Sequence, residues 1–90
     1  MYTIISTNQF DKDISIIVKR NYDTEIIKKA ISELELTGKL TQKYKPHKLS
    51  GNYNGYWECH IKGNWLLIWL QNNIKLEITL VRTGTHSDLF

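Results

Sequence analysis

Trp65-Leu66-Leu67-Ile68-Trp69-Leu70, followed after Gln71-Asn72-Asn73 by Ile74-Lys75-Leu76-Glu77-Ile78-Thr79-Leu80-Val81-Arg82, is the stretch that decides the fold. Six consecutive apolar residues between turn signals suit a strand covered on both faces, so 65–70 is expected in the middle of a sheet. In the second segment Leu76, Ile78 and Leu80 alternate with polar or small neighbours, as in a strand with one dry face. Upstream, Gly55 to Ile61 is a third strand candidate, separated from the first by Lys62-Gly63-Asn64. Both breaks are short enough for antiparallel hairpins.

Such a sheet needs a cover, and the first half of the chain supplies helices to back it. Tyr2 to Ile5 is a short β-favouring run, and Ser6 or Thr7 offers a hydroxyl to cap a helix. Phe10, Ile14, Ile17 and Val18 line one helical face. After a break at Asn21-Tyr22, Asp23 can cap a second helix with the stripe Ile26, Ile27, Ala30, Ile31 and Leu34, ending at Gly38. Lys39 to Asn54 is expected to be a polar loop. The sum is an α+β domain over residues 1–90, a small curved antiparallel β-sheet packed against an N-terminal helical hairpin.

The chain has 90 residues, 41% hydrophobic and 23% charged, which suits one modest globular core. One cysteine, Cys59, excludes an internal disulfide and fits a reducing compartment. There is no leader pattern and no apolar run of membrane-spanning length, so a soluble cytoplasmic protein is expected. The net charge of +3 is unevenly spread. Up to Glu35, six acids face five bases; between Leu36 and Leu76 the only acid is Glu58, against Lys39, Lys43, Lys45, Lys48, Lys62 and Lys75. A polyanion would be drawn to the second half.

His47, His60 and His86 all lie in that half. Only histidine titrates near neutrality when unperturbed, so several in a cationic setting suit proton transfer at a phosphodiester. Their spacing matches no compact metal-ligand set, and no cofactor is expected. Cys59 and His60 are strand neighbours and point to opposite faces, which makes a core thiol opposite an outward imidazole the better reading than a nucleophilic pair. In Arg82-Thr83-Gly84-Thr85-His86, a turn at Gly84 could set a guanidinium on a phosphate while His86 protonates a leaving oxygen. Phe90 and Trp65 are the aromatic rings best placed to stack on bases.

Four pieces in order, Lys45-Pro46-His47-Lys48-Leu49-Ser50-Gly51, Gly55-Tyr56-Trp57-Glu58-Cys59-His60-Ile61, Asn64-Trp65-Leu66-Leu67-Ile68-Trp69 and Arg82-Thr83-Gly84-Thr85-His86-Ser87-Asp88-Leu89-Phe90, resemble the YafQ branch of the RelE/ParE toxin superfamily of bacterial type II toxin-antitoxin systems. The first half matches in outline, through Phe10-Asp11-Lys12-Asp13. The resemblance implies a RelE-like microbial ribonuclease fold and a small endoribonuclease, or mRNA interferase. Such a protein cuts messenger RNA on the translating ribosome without a metal, and is a monomer alone or a hetero-oligomer with its antitoxin. It implies catalytic roles for His86, Arg82, His60 and His47, with His86 as acid and His60 or His47 as base. Trp65, Phe90, Asn64, Lys45 and Lys48 would meet the substrate. Asn64 stands where such toxins usually carry an aspartate and cannot act as a base at neutral pH. Two other functions fit the same residues: a non-catalytic ParE-like inhibitor, and a basic RNA-binding module with structural histidines.

Overall fold

The computed structural model describes residues 1–90. The order is β1 (Thr3–Ser6), α1 (Asn8–Lys19), α2 (Thr24–Thr37), β2 (His47–Lys48), β3 (Trp57–Lys62), β4 (Trp65–Asn72), β5 (Glu77–Thr85) and α3 (His86–Leu89), with short 3-10 turns at Gln42–Tyr44 and Gly51–Tyr53. The strands form one sheet in the order β1-β5-β4-β3-β2, so the apolar stretch is its central strand. Trp65 through Trp69 are buried, while Leu70 reaches the exposed end.

Side chains alternate across β4, and each face meets a different partner. Trp65, Leu67 and Trp69 join Phe10, Ile17, Ile27, Ala30 and Leu34 from the helices in the main core, with Cys59, Ile78 and Leu80 from the flanking strands. Leu66 and Ile68 point the other way and pack under Leu89 of α3, beside Leu49, Tyr56 and Val81.

The helix boundaries follow their expected caps. Thr7 accepts from the Phe10 amide at the start of α1, and Asp23 accepts from the Glu25 amide at the start of α2. Gly38 ends α2 in the left-handed region at φ 72°, where a side chain is strained. A Cβ there would also lie 2.5 Å from the Tyr2 ring. That close approach anchors the start of the chain: the Tyr2 amide donates to the Glu35 carbonyl at 2.7 Å and its hydroxyl to Asn73 at 2.8 Å.

Four expectations are corrected. The sheet is not wholly antiparallel: β1 runs parallel to β5, with Thr3 opposite Glu77 and Ser6 opposite Leu80. The helical hairpin carries the chain from β1 to the far side of the sheet, so β1 meets the last strand rather than the next. The loop 39–54 contains β2, and buries Leu40 and Tyr44. β5 begins at Glu77 rather than Ile74, because the Asn72 side chain accepts from the Ile74 and Lys75 amides and prolongs the turn, leaving Ile74 exposed. On α1 Phe10, Ile14 and Ile17 pack toward the core, but Asp13 is buried with them and Val18 faces solvent.

Candidate active site on the open sheet face

Residues paired across neighbouring strands share a face. His47 pairs with Glu58, Glu58 with Ile68, and Ile68 with Arg82, a row running from β2 to β5. His60, two residues beyond Glu58, pairs with Leu66 in the next row on the same face. The His47 and His60 rings lie 6.3 Å apart between centroids. Cys59 turns the opposite way into the core, as strand alternation requires. Burial pushes its thiol up to about 12, so it stays protonated and inert.

Arg82 sits at a bulge. Ile68 faces Arg82 and Trp69 faces Leu80, leaving Val81 without a partner. Asp13 of α1 sets the guanidinium: its carboxylate accepts from Arg82 Nε at 2.7 Å and Nη2 at 3.2 Å, and from the Thr83 amide at 3.1 Å. The Asp13 hydrogen bonds raise the Arg82 pKa above its ordinary value, against partial desolvation, so Arg82 is a permanent cation. It is not the free fork expected from the sequence, since two of its donors already serve Asp13.

The expected turn at Gly84 is strand: β5 runs through Thr85, and His86 opens α3. Thr85 caps that helix reciprocally with Asp88. Asp88 also takes both ends of the Arg20 guanidinium, at 2.7 and 3.0 Å, tying α3 to the end of α1. Gly84 makes this docking feasible, because a Cβ there would meet Asp88 at 3.0 Å. The anchored α3 presents His86 exposed, its ring 4.9 Å from that of Phe90. Phe90 in turn stands edge-on to Tyr53 at 5.4 Å, and Tyr53 edge-on to Tyr56 at 5.6 Å. A string of aromatic rings thus borders the face that carries the histidines.

The expected substrate contacts divide. Phe90 is 55% exposed and available. Trp65 is not: it is 3% exposed, donates from Nε1 to Thr83 Oγ1 at 2.9 Å and takes the Tyr22 ring edge-on, so its face is not open to a stacking base. Lys48, adjacent to His47 in an extended strand, turns to the opposite face, with Nζ 5.5 Å from the Trp57 ring centroid. Asn64 is exposed in the β3–β4 turn and lines a recess with Tyr22, Asp23 and Lys62. Lys45 is exposed with φ 50°, and its carbonyl lies 2.9 Å from His47 Nδ1. Sequence reasoning overlooked Asp13, Glu58 and Tyr53. The isolated acid in a basic stretch was the available signal for Glu58, and an acid three residues after Phe10 on the inward helix face was that for Asp13. No three His, Cys, Asp or Glu side chains converge as a metal centre.

A five-stranded sheet with a helical hairpin on one face is the fold of small bacterial toxins: the chain is 38% identical to a Helicobacter pylori toxin solved in a metal-bound form, with a TM-score of 0.90 and each chain covered in full. It is 32% identical to a chain of the Escherichia coli DinJ-YafQ toxin-antitoxin complex, with a TM-score of 0.88 over 99% of this chain and 97% of that one. In sequence it is 34% identical to the mRNA interferase toxin YafQ of E. coli strain K12, over 93% of this chain and 90% of the relative. Residues 2–90 match the family model of the YafQ bacterial toxin of type II toxin-antitoxin systems, and the chain belongs to that family.

Proposed function

We propose that this chain is an endoribonuclease that cuts messenger RNA on the translating ribosome, acts in the cytoplasm as one domain, and is held inactive by a cognate antitoxin. The observation that carries the reading is the shared sheet face: His47, His60 and Arg82 in adjoining rows, bordered by the anchored α3 with His86. Family membership and the interferase relatives support the substrate class, and the DinJ-YafQ complex supports the antitoxin.

The reaction is attack of a ribose 2′-oxygen on the adjacent phosphorus with departure of the 5′-oxygen. The 2′-hydroxyl proton passes to a histidine. His60 is the better placed of the two candidates, because its Nδ1 is engaged by the Gly63 carbonyl at 3.0 Å, which puts the hydrogen on Nδ1 and the lone pair on Nε2. His86 gives a proton to the leaving 5′-oxygen, so the products are a cyclic phosphate and a 5′-hydroxyl. Arg82 neutralises charge developing on the phosphorane-like transition state. Phe90 stacks on a base beside the scissile bond.

Primer extension on a translated message, after induction of the wild type and of His86→Ala, tests this. Discrete cuts within the reading frame that vanish in the mutant are expected. Growth arrest without cuts would instead favour a non-catalytic inhibitor.

A further inference from the structure

Glu58 is buried on β3, 7% exposed, and its second oxygen, Oε2, is the one buried side-chain nitrogen or oxygen atom in the molecule with no hydrogen-bond partner. A buried carboxylate left half-satisfied costs stability, so this one is poorly explained by packing. Its other oxygen, Oε1, lies 3.1 Å from His47 Nε2.

The hydrogen-bond inventory of the two rings differs. His47 Nδ1 faces the Lys45 carbonyl, which can only accept, so that nitrogen carries a hydrogen. Nε2 of the same ring faces a carboxylate oxygen, so the pair is satisfied only with a proton between Nε2 and Oε1 as well. His60 has one nitrogen engaged and the other open. The groups facing His47 are thus Glu58, the Lys45 carbonyl and His60, while Lys48 lies on the other side of the sheet over Trp57.

We propose that Glu58 is a positioning residue: it keeps His47 proton-loaded and pins that ring beside His60, so that His47 offers the scissile phosphate a fixed positive charge and His60 alone is open to accept the 2′-proton. This rests on the nuclease reading for its consequence, but the arrangement itself exists in the free protein and can be read there.

The test is nitrogen-15 NMR of the imidazoles in the RNA-free protein at neutral pH, combined with single-turnover cleavage. In the wild type both His47 nitrogens should show the protonated signature, and His60 the signature of a hydrogen on Nδ1 with a bare Nε2. Glu58→Gln should strip the second proton from His47 and slow cleavage at saturating message by roughly tenfold, the effect of one charge-assisted hydrogen bond. Glu58→Asp should restore much of both. A bare Nε2 on His47 in the wild type overturns the proposal, as does an unchanged His47 signature and rate in Glu58→Gln. If Glu58→Gln fails to fold, the wild-type spectrum and Glu58→Asp still decide. Wild-type protein that shows the paired His47 but never cuts message would overturn the nuclease reading and with it the catalytic consequence.

Discussion

Asp13 governs the cation of the site without standing in it. It is 4% exposed, accepts three hydrogen bonds from β5 and a fourth from Gln9 at 3.2 Å, and so fixes both the direction of Arg82 and the seat of α1 on the sheet. Asp13→Ala leaves a guanidinium and a buried amide without their acceptor and should destabilise the fold by about 2 kcal/mol, discounted because Arg82 retains access to water; urea denaturation measures this. Cleavage should fall further than stability does, since a free Arg82 no longer points at one place. Cys59 behaves oppositely. With its thiol held at about 12 by burial, it should resist iodoacetamide in the native protein and react only on unfolding, without loss of activity in the interim. Unfolded thiol ionises near its ordinary value of 9.0, so the stability owed to the neutral buried form is whole below that pH and declines as pH rises above it. Cys59 was legible from strand alternation alone. Asp13 gave a weaker signal, its place on the inward face beside Phe10 and Ile17, and reads as solvated until its partner 69 residues away is known. Trp65 misled for a related reason: a ring after a turn looks exposed, and only its partner Thr83 shows otherwise.

Among the elements, α3 is held to the end of α1 by an ion pair, Arg20 with Asp88. The Arg20 hydrogen bonds, then the Thr85 amide, hold the Asp88 carboxyl well below the usual carboxylate range. The clamp therefore contributes stability that is fully present above about pH 4, where an unfolded aspartate is ionised, and is lost as pH falls from there toward the lower native value. Acidification should release α3 while β4 stays protected, seen as early broadening of His86 and Phe90 resonances with slow exchange persisting at Leu67. Asp88→Asn should show the loosened state at neutral pH and lose that acid dependence. Gly84→Ala should act similarly by pushing Asp88 away. The central strand, both long helices and their caps were legible because each rests on local chemistry: six apolar residues in a row, Thr7, Asp23, Gly38. The parallel seat of β1 and the short β2 were not, because a run such as Thr3–Ser6 carries no mark of which edge it will join.

At the scale of the molecule, the excess positive charge belongs to the half that builds the histidine face, and the two sides of the sheet divide it. Lys45→Ala should weaken RNA binding and flatten its salt dependence, by about 0.7 in the slope of log affinity against log salt if it meets one phosphate of a single strand. Lys48→Ala, whose ammonium lies over Trp57, should leave that slope unchanged; filter binding across a salt series separates them. The parallel pairing of β1 with β5 also has a bearing on timing. Thr7 waits for Val81, 74 residues later, and Arg20 waits for Asp88, 68 residues later. Contacts of such span close late, since their loop entropy must be met before they stabilise anything. During synthesis the helical hairpin emerges with no sheet to lie on, and neither the arginine seat nor the α3 clamp can form until β5 and α3 have been made. A nascent toxin is therefore unarmed for nearly the whole of its own translation, which leaves an interval in which an antitoxin already present can meet it first.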